Sequence, residues 1–94
     1  MEMENNVVRK TLENIQIKII CFGITRDIIG QFDYSITLER EATVADLKQK
    51  LSLLFPAFHT LKSLRIAVNA EYAADSVVLN EKDEVVLIPP VSGG

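Results

Sequence analysis

The residues best suited to chemistry are the last two. The sequence closes on Leu87-Ile88-Pro89-Pro90-Val91-Ser92-Gly93-Gly94. A Gly-Gly end carries its main-chain carboxylate on an arm with no side chains near its tip. Such an arm can thread a narrow pocket in which the carboxylate is activated and loaded. Glycine is about 7% of average composition, so this pair closes roughly 0.5% of sequences by chance. Rarity alone leaves a frayed end as an equal alternative. The residues in front of the pair favour the arm. Pro89 and Pro90 each fix φ and donate no hydrogen bond, which stiffens the exit into an extended, polyproline-like path. A stiff stalk with a free tip is the form of a presenting arm, and Gly94 is the residue expected to react.

No other grouping of reactive side chains competes with the tail. Cys21 and His59 are the only residues of their kinds in the sequence and stand far apart, so neither a metal cluster nor a disulfide is visible. Cys21 shares its parity with Ile17 and Ile19 and is read as an inert core thiol. His59 is read as a loop histidine, and Asp83-Glu84 as a solvated turn. The 94 residues suit one domain with one small core. A net charge of −3 and a pI near 5.0 argue against nucleic acid, which calls for a basic face. Met1 to Asn14 has no apolar run of leader type, and no segment approaches about 18 apolar residues, so a cytoplasmic chain with no membrane partner is expected.

The elements that must hold the arm follow from periodicity. Residues 1–14 are polar and without a period, and are read as a flexible extension. Ile15 to Phe22 alternates as a strand, with Ile15, Ile17, Ile19 and Cys21 on one face. Gly23 to Gly30 reads as a connection with room for a helical turn. Phe32, Tyr34, Ile36 and Leu38 mark a second strand. Thr43 and Asp46 form a capping-box signature ahead of Val44, Leu47, Leu51, Leu54 and Phe55, so a helix is expected from about Val44 to Phe55, stopped by Pro56. Leu64, Ile66 and Val68 give a third strand, Glu71 to Ala73 a short one, and Glu84 to Ile88 a central strand apolar on both faces. Strand, strand, helix, strand, short strand, strand is most economically an α+β fold, with a mixed sheet of four to five strands packed on one main helix. That is the β-grasp, or ubiquitin-like, arrangement, with residues 15–88 as the domain and 89–94 as the presenting tail.

In that arrangement the first and last strands lie side by side and parallel, so Phe22 and Ile88 fall at the same end of the sheet, on the face away from the helix. Tyr72 joins them from the short strand, and Arg26 is read as a charge for an acidic residue of the partner. An exposed apolar patch of this kind marks a partner contact.

These residues together resemble the small subunit of molybdopterin synthase, a β-grasp sulfur carrier. The matching pieces are Phe22-Gly23 with Arg26 and Gly30, Thr43-Val44 with Leu47, Val68-Asn69 with Glu71-Tyr72, Asp83-Glu84-Val85, and the Pro-Pro-Val-Ser-Gly-Gly end, which is the specific part. Lys82 departs from the pattern by standing where such carriers usually have glycine. A left-handed residue there would cost about 1 kcal/mol or more. The resemblance implies a non-catalytic, sulfur-donating subunit. A ubiquitin-activating-type adenylyltransferase would use ATP to adenylate the Gly94 carboxylate, and sulfur would replace AMP to give a thiocarboxylate. Pro89, Pro90, Val91, Ser92 and Gly93 would thread the tail into the synthase large subunit, within a heterotetramer, where the sulfur passes to cyclic pyranopterin monophosphate. Two transfers build the molybdopterin dithiolene. The carrier itself would bind no cofactor and no metal. Two other uses of such a tail stay open at this point: conjugation through Gly94 to lysines of other proteins, and sulfur delivery for thiazole or tRNA.

Overall fold

Alternation of isoleucine with polar residues makes a one-faced first strand, β1 (Asn14–Cys21). Ile15, Ile17, Ile19 and Cys21 are buried while Gln16 and Lys18 face solvent. The computed structural model describes residues 14–61 and 63–89. The extension expected over 1–14 therefore lies, but for Asn14, outside the described residues. So do Pro90, Val91, Ser92, Gly93 and Gly94 of the tail.

Strand β2 (Asp33–Glu39) runs antiparallel to β1 and sets Ile36 opposite Ile17 and Leu38 opposite Ile15. On the other side of β1 lies β5 (Val85–Ile88), and the two are parallel. Strands β3 (Arg65–Val68) and β4 (Glu71–Tyr72) complete a single five-stranded sheet in the order β2-β1-β5-β3-β4. The inner face of this sheet and the main helix share one core.

That helix is α2 (Val44–Leu54). Its capping box forms as the sequence implies. The Thr43 N–H donates to Asp46 Oδ2 at 2.9 Å, and the Asp46 N–H donates to Thr43 Oγ1 at 3.3 Å. Val44, Leu47 and Leu51 are buried against Ile17, Ile19, Val85 and Leu87. Leu54, which the spacing put in the core, is exposed instead. The helix ends there, and Phe55 turns inward in its place, edge-on to the Tyr34 ring at 5.6 Å. Pro56 then opens a 3-10 turn (Pro56–Thr60) that buries Phe58.

Two features escape periodicity. Gly23 to Gly30 is more than a connection: it holds a short helix, α1 (Gly23–Ile29), that buries Thr25 and Ile29. Gly30 ends it at φ 85°, its N–H bonded to the Arg26 carbonyl at 2.7 Å, the left-handed cap that glycine adopts without strain. The second is the irregular stretch around Leu79, which is fully buried. Asp75 and Val77 offer carbonyls to the N–H groups of Ala45 and Val44. The first turn of α2, which has no intrahelical acceptors, is satisfied by this stretch.

The β3–β4 hairpin turns on two left-handed residues, Asn69 at φ 54° and Ala70 at φ 71°. Such a two-residue turn matches the twist of the strands. Asn69 also ties the turn to the approach of β5. Its Nδ2 donates to Asp83 Oδ1 at 3.0 Å, and its Oδ1 accepts from the Glu84 N–H at 2.9 Å. Lys82 is not among the left-handed residues, so the departure from glycine there brings no strain. The strain sits at Ala70, where a β-carbon crowds a left-handed backbone. Ala70→Gly is therefore expected to stabilise the domain by up to ~1 kcal/mol, after the greater unfolded-state entropy of glycine is deducted. Urea denaturation of both proteins measures it.

Candidate functional site

The site grows from the β1–β5 register. Ile19, Ile20 and Cys21 stand beside Val85, Val86 and Leu87. Both strands run the same way, so both leave the sheet at the same end, β1 through Phe22 and β5 through Ile88 and Pro89. Cys21 and Leu87 point into the core and are fully buried. Ile20, Val86 and Ile88 belong to the other face and are half-buried. Phe22 caps α1 in an extended conformation, φ −128° and ψ 156°, which carries the alternation of β1 one residue further. The residue is 47% exposed, so about half of its surface remains available to a partner.

Phe22 is held firmly at its backbone. Thr25, 0% exposed, turns its hydroxyl back on that residue. The Phe22 N–H donates to Thr25 Oγ1 at 3.0 Å, and Oγ1 donates to the Phe22 carbonyl at 2.6 Å. A single buried hydroxyl thus satisfies both polar groups where the strand stops and the helix begins. The ring itself meets the edge of Phe32 at 5.3 Å between centroids. Arg26, in the last turn of α1, lies over Phe32 at 5.9 Å. Phe32 is not the first residue of the strand, as its alternation with Tyr34 suggested. It precedes β2 and lies exposed at the end of the sheet.

The stalk leaves between these groups. A β-carbon at Gly23, whose φ is 55°, would stand 3.2 Å from Cγ of Pro89. The absence of a side chain there lets the first proline lie close to the β1–α1 corner. On the far side of Ile88, Arg65 stands opposite it in the β3–β5 ladder. Tyr72, 64% exposed on β4, receives the Arg65 guanidinium over its ring at 4.9 Å.

Of the four residues expected at the interface, Phe22 and Ile88 fall at one end of the sheet and Arg26 reaches Phe32 beside them; Tyr72 stands apart on the edge strand, opposite Ala67, and is joined to the Ile88 row through Arg65. Pro89 leaves beside Gly23 at the end of β5 and is partly buried. Sequence reasoning missed Gly23, Thr25, Phe32 and Arg65 as parts of this region. Gly23 and Gly30 flanking Thr25 were the available signal for α1. Arg65 gave none, since it read as the polar spacer between Leu64 and Ile66.

Cys21 is buried, and that burial first, with the charge of Asp33 second, pushes its thiol above the usual range, away from the reactive thiolate. Among the described residues no three His, Cys, Asp or Glu side chains gather as a metal site. No helix among them is long and apolar enough to cross a membrane. His59 lies exposed on the 3-10 turn.

A mixed sheet with parallel first and last strands, crossed by one main helix, defines a ubiquitin-like β-grasp domain. A Pyrococcus furiosus protein described as a molybdopterin converting factor subunit 1 shares this fold with a TM-score of 0.75 and 26% identity, over 82% of this chain and 99% of that one. The chain belongs to the ThiS family, whose model matches residues 19–94. The molybdopterin synthase sulfur carrier subunit of Dictyostelium discoideum is 37% identical over 84% of this chain and 96% of its own length. That of Arabidopsis thaliana is 32% identical, over 86% and 85%.

Proposed function

We propose that this chain is the sulfur carrier subunit of a molybdopterin synthase, with the Gly94 carboxylate as the group that is loaded. The observation that carries the reading is the convergence of Phe22, Ile88 and Pro89 at one end of the sheet: an apolar platform surrounds the root of the stalk that leads to Gly-Gly. The likeness to sulfur carrier subunits over most of the chain supports it.

A carboxylate is a poor electrophile, so loading requires a leaving group. An adenylyltransferase of the ubiquitin-activating type supplies it. The Gly94 carboxylate attacks the α-phosphorus of ATP and releases pyrophosphate, and a sulfur donor then displaces AMP from the acyl adenylate. The thiocarboxylate that results is a nucleophile on a tether. The platform docks on the synthase large subunit, and the stalk carries Val91, Ser92 and the two glycines into its active site. There the sulfur passes to cyclic pyranopterin monophosphate, twice for each dithiolene. Docking makes each delivery effectively intramolecular. In this reading ATP is bound by the activating enzyme, the carrier works in the cytoplasm, and two carriers with two large subunits make a heterotetramer.

Co-expression with the activating enzyme and a sulfur source tests the reading. Intact mass should show a species heavier by one oxygen-to-sulfur exchange, and denaturing blots of a tagged chain should show mainly the free protein. An unchanged mass together with a ladder of stable Gly94–lysine conjugates would support a protein modifier instead.

A further inference from the structure

Resting on the docking role given above, we propose that Arg65 determines partner choice at the tail exit. Held over Tyr72, it takes a carboxylate on the surface of the synthase large subunit. Arg65 pairs with Ile88 across the β3–β5 ladder, so it shares the face of that residue at the point where Pro89 leaves the sheet. Its guanidinium carbon lies 4.9 Å from the centroid of the Tyr72 ring. This cation–π contact orders the side chain before any partner arrives. Part of the rotamer entropy that docking would remove is therefore already lost in the free chain.

Among the described residues Arg65 forms no ion pair; the pairs there are Lys18–Asp33 and Lys48–Asp75. Yet acidic residues outnumber basic ones in this chain, 13 to 10. A cation that pairs with none of the described acids, ordered at the rim of an apolar surface, is complementary to an acidic group from outside. The guanidinium fork fits a carboxylate through two parallel N–H donors. Beside Ile88 the pair would form where docking thins the water, which strengthens it over a pair on open surface. A basic or apolar partner surface would leave the arginine desolvated and unpaired, so the same residue selects against wrong partners.

The experiment is calorimetric titration of the full chain and its variants with the large subunit of the same organism, at low and at high salt. Arg65→Gln should bind about tenfold more weakly at low salt, the loss of one charge-assisted contact. Its Kd should depend less on salt than that of the parent chain. Arg65→Lys should fall between the two, because it keeps the charge and loses the fork. Thermal melts of the same samples separate loss of contact from loss of fold, and Arg65→Lys keeps a cation within reach of the Tyr72 ring. If Arg65→Gln matches the parent in Kd and salt dependence while Ile88→Ser is weakened, the role of Arg65 is overturned and the docking role stands. If the parent chain does not bind the large subunit, the docking role falls and the role of Arg65 falls with it.

Discussion

Deletion of Gly94 is expected to abolish thiocarboxylate formation while leaving the thermal melt of the domain where it was. So is addition of one alanine after it, provided the alanine is not trimmed. Adenylation acts on the carboxylate at the tip of the arm. Removing one residue withdraws that group by about 3.3–3.6 Å, more than the reach of a hydrogen bond. Adding one places a β-carbon and a displaced carboxylate where the pocket expects bare backbone. A misplacement of about 1 Å can already cost about a hundredfold in rate, so either change should leave no detectable loading. The fold should not need the tip: among the described residues the last fully buried one is Leu87, and β5 ends at Ile88. Intact mass after co-expression, beside a melt followed by circular dichroism, reads both halves. Loading of an untrimmed, alanine-extended chain at the normal rate would sink the assignment of Gly94.

The Gly-Gly end stands out in the sequence because the chemistry proposed for it needs particular residues in a short run, and beyond Pro89 it lies outside the described residues. Much of the domain was legible because one face of each element is apolar at a fixed period. Ile15, Ile17 and Ile19 alternate, and the buried set follows that alternation without exception through Cys21. Thr43 and Asp46 bond to each other as their spacing implies. What escaped the sequence was whatever depends on partners remote along the chain. Leu79 is core although its own segment is irregular, because that segment covers the open turn of α2. Leu54 has helical spacing, but the helix stops at it and Phe55 fills the space. At the site, Thr25 acts through a backbone three residues away. Arg65 acts through a ring on the next strand. Neither carries a periodic signal, since a pattern records which face a residue takes and not which neighbour it meets there.

The face that a residue takes is itself testable at the platform. Phe22→Ser and Ile88→Ser should each weaken binding to the large subunit by about tenfold, and the pair together by up to about a hundredfold. Full burial of such a side chain contributes roughly 1.5–3 kcal/mol. Phe22 already rests on Phe32 and is 47% exposed, so about half of the upper end of that range, which suits an aromatic ring, is left for a partner to realise: about 1.4 kcal/mol, one decade in Kd. Ile88 is likewise half-buried before docking. Phe22 and Ile88 flank the same stalk root, so their losses need not add fully, and a hundredfold is an upper bound for the double variant. Cost to the fold should be small. The packing against α2 is made by Ile17, Ile19, Val85 and Leu87, and both substitutions leave those four in place. The Thr25 hydroxyl bonds to the Phe22 backbone, which a serine retains, so the corner between β1 and α1 should survive as well. Calorimetric titration of each variant, beside its melt, gives affinity and stability separately. A Kd unchanged in both single variants, or a melt that collapses in either, would show that these residues serve the core and not the partner.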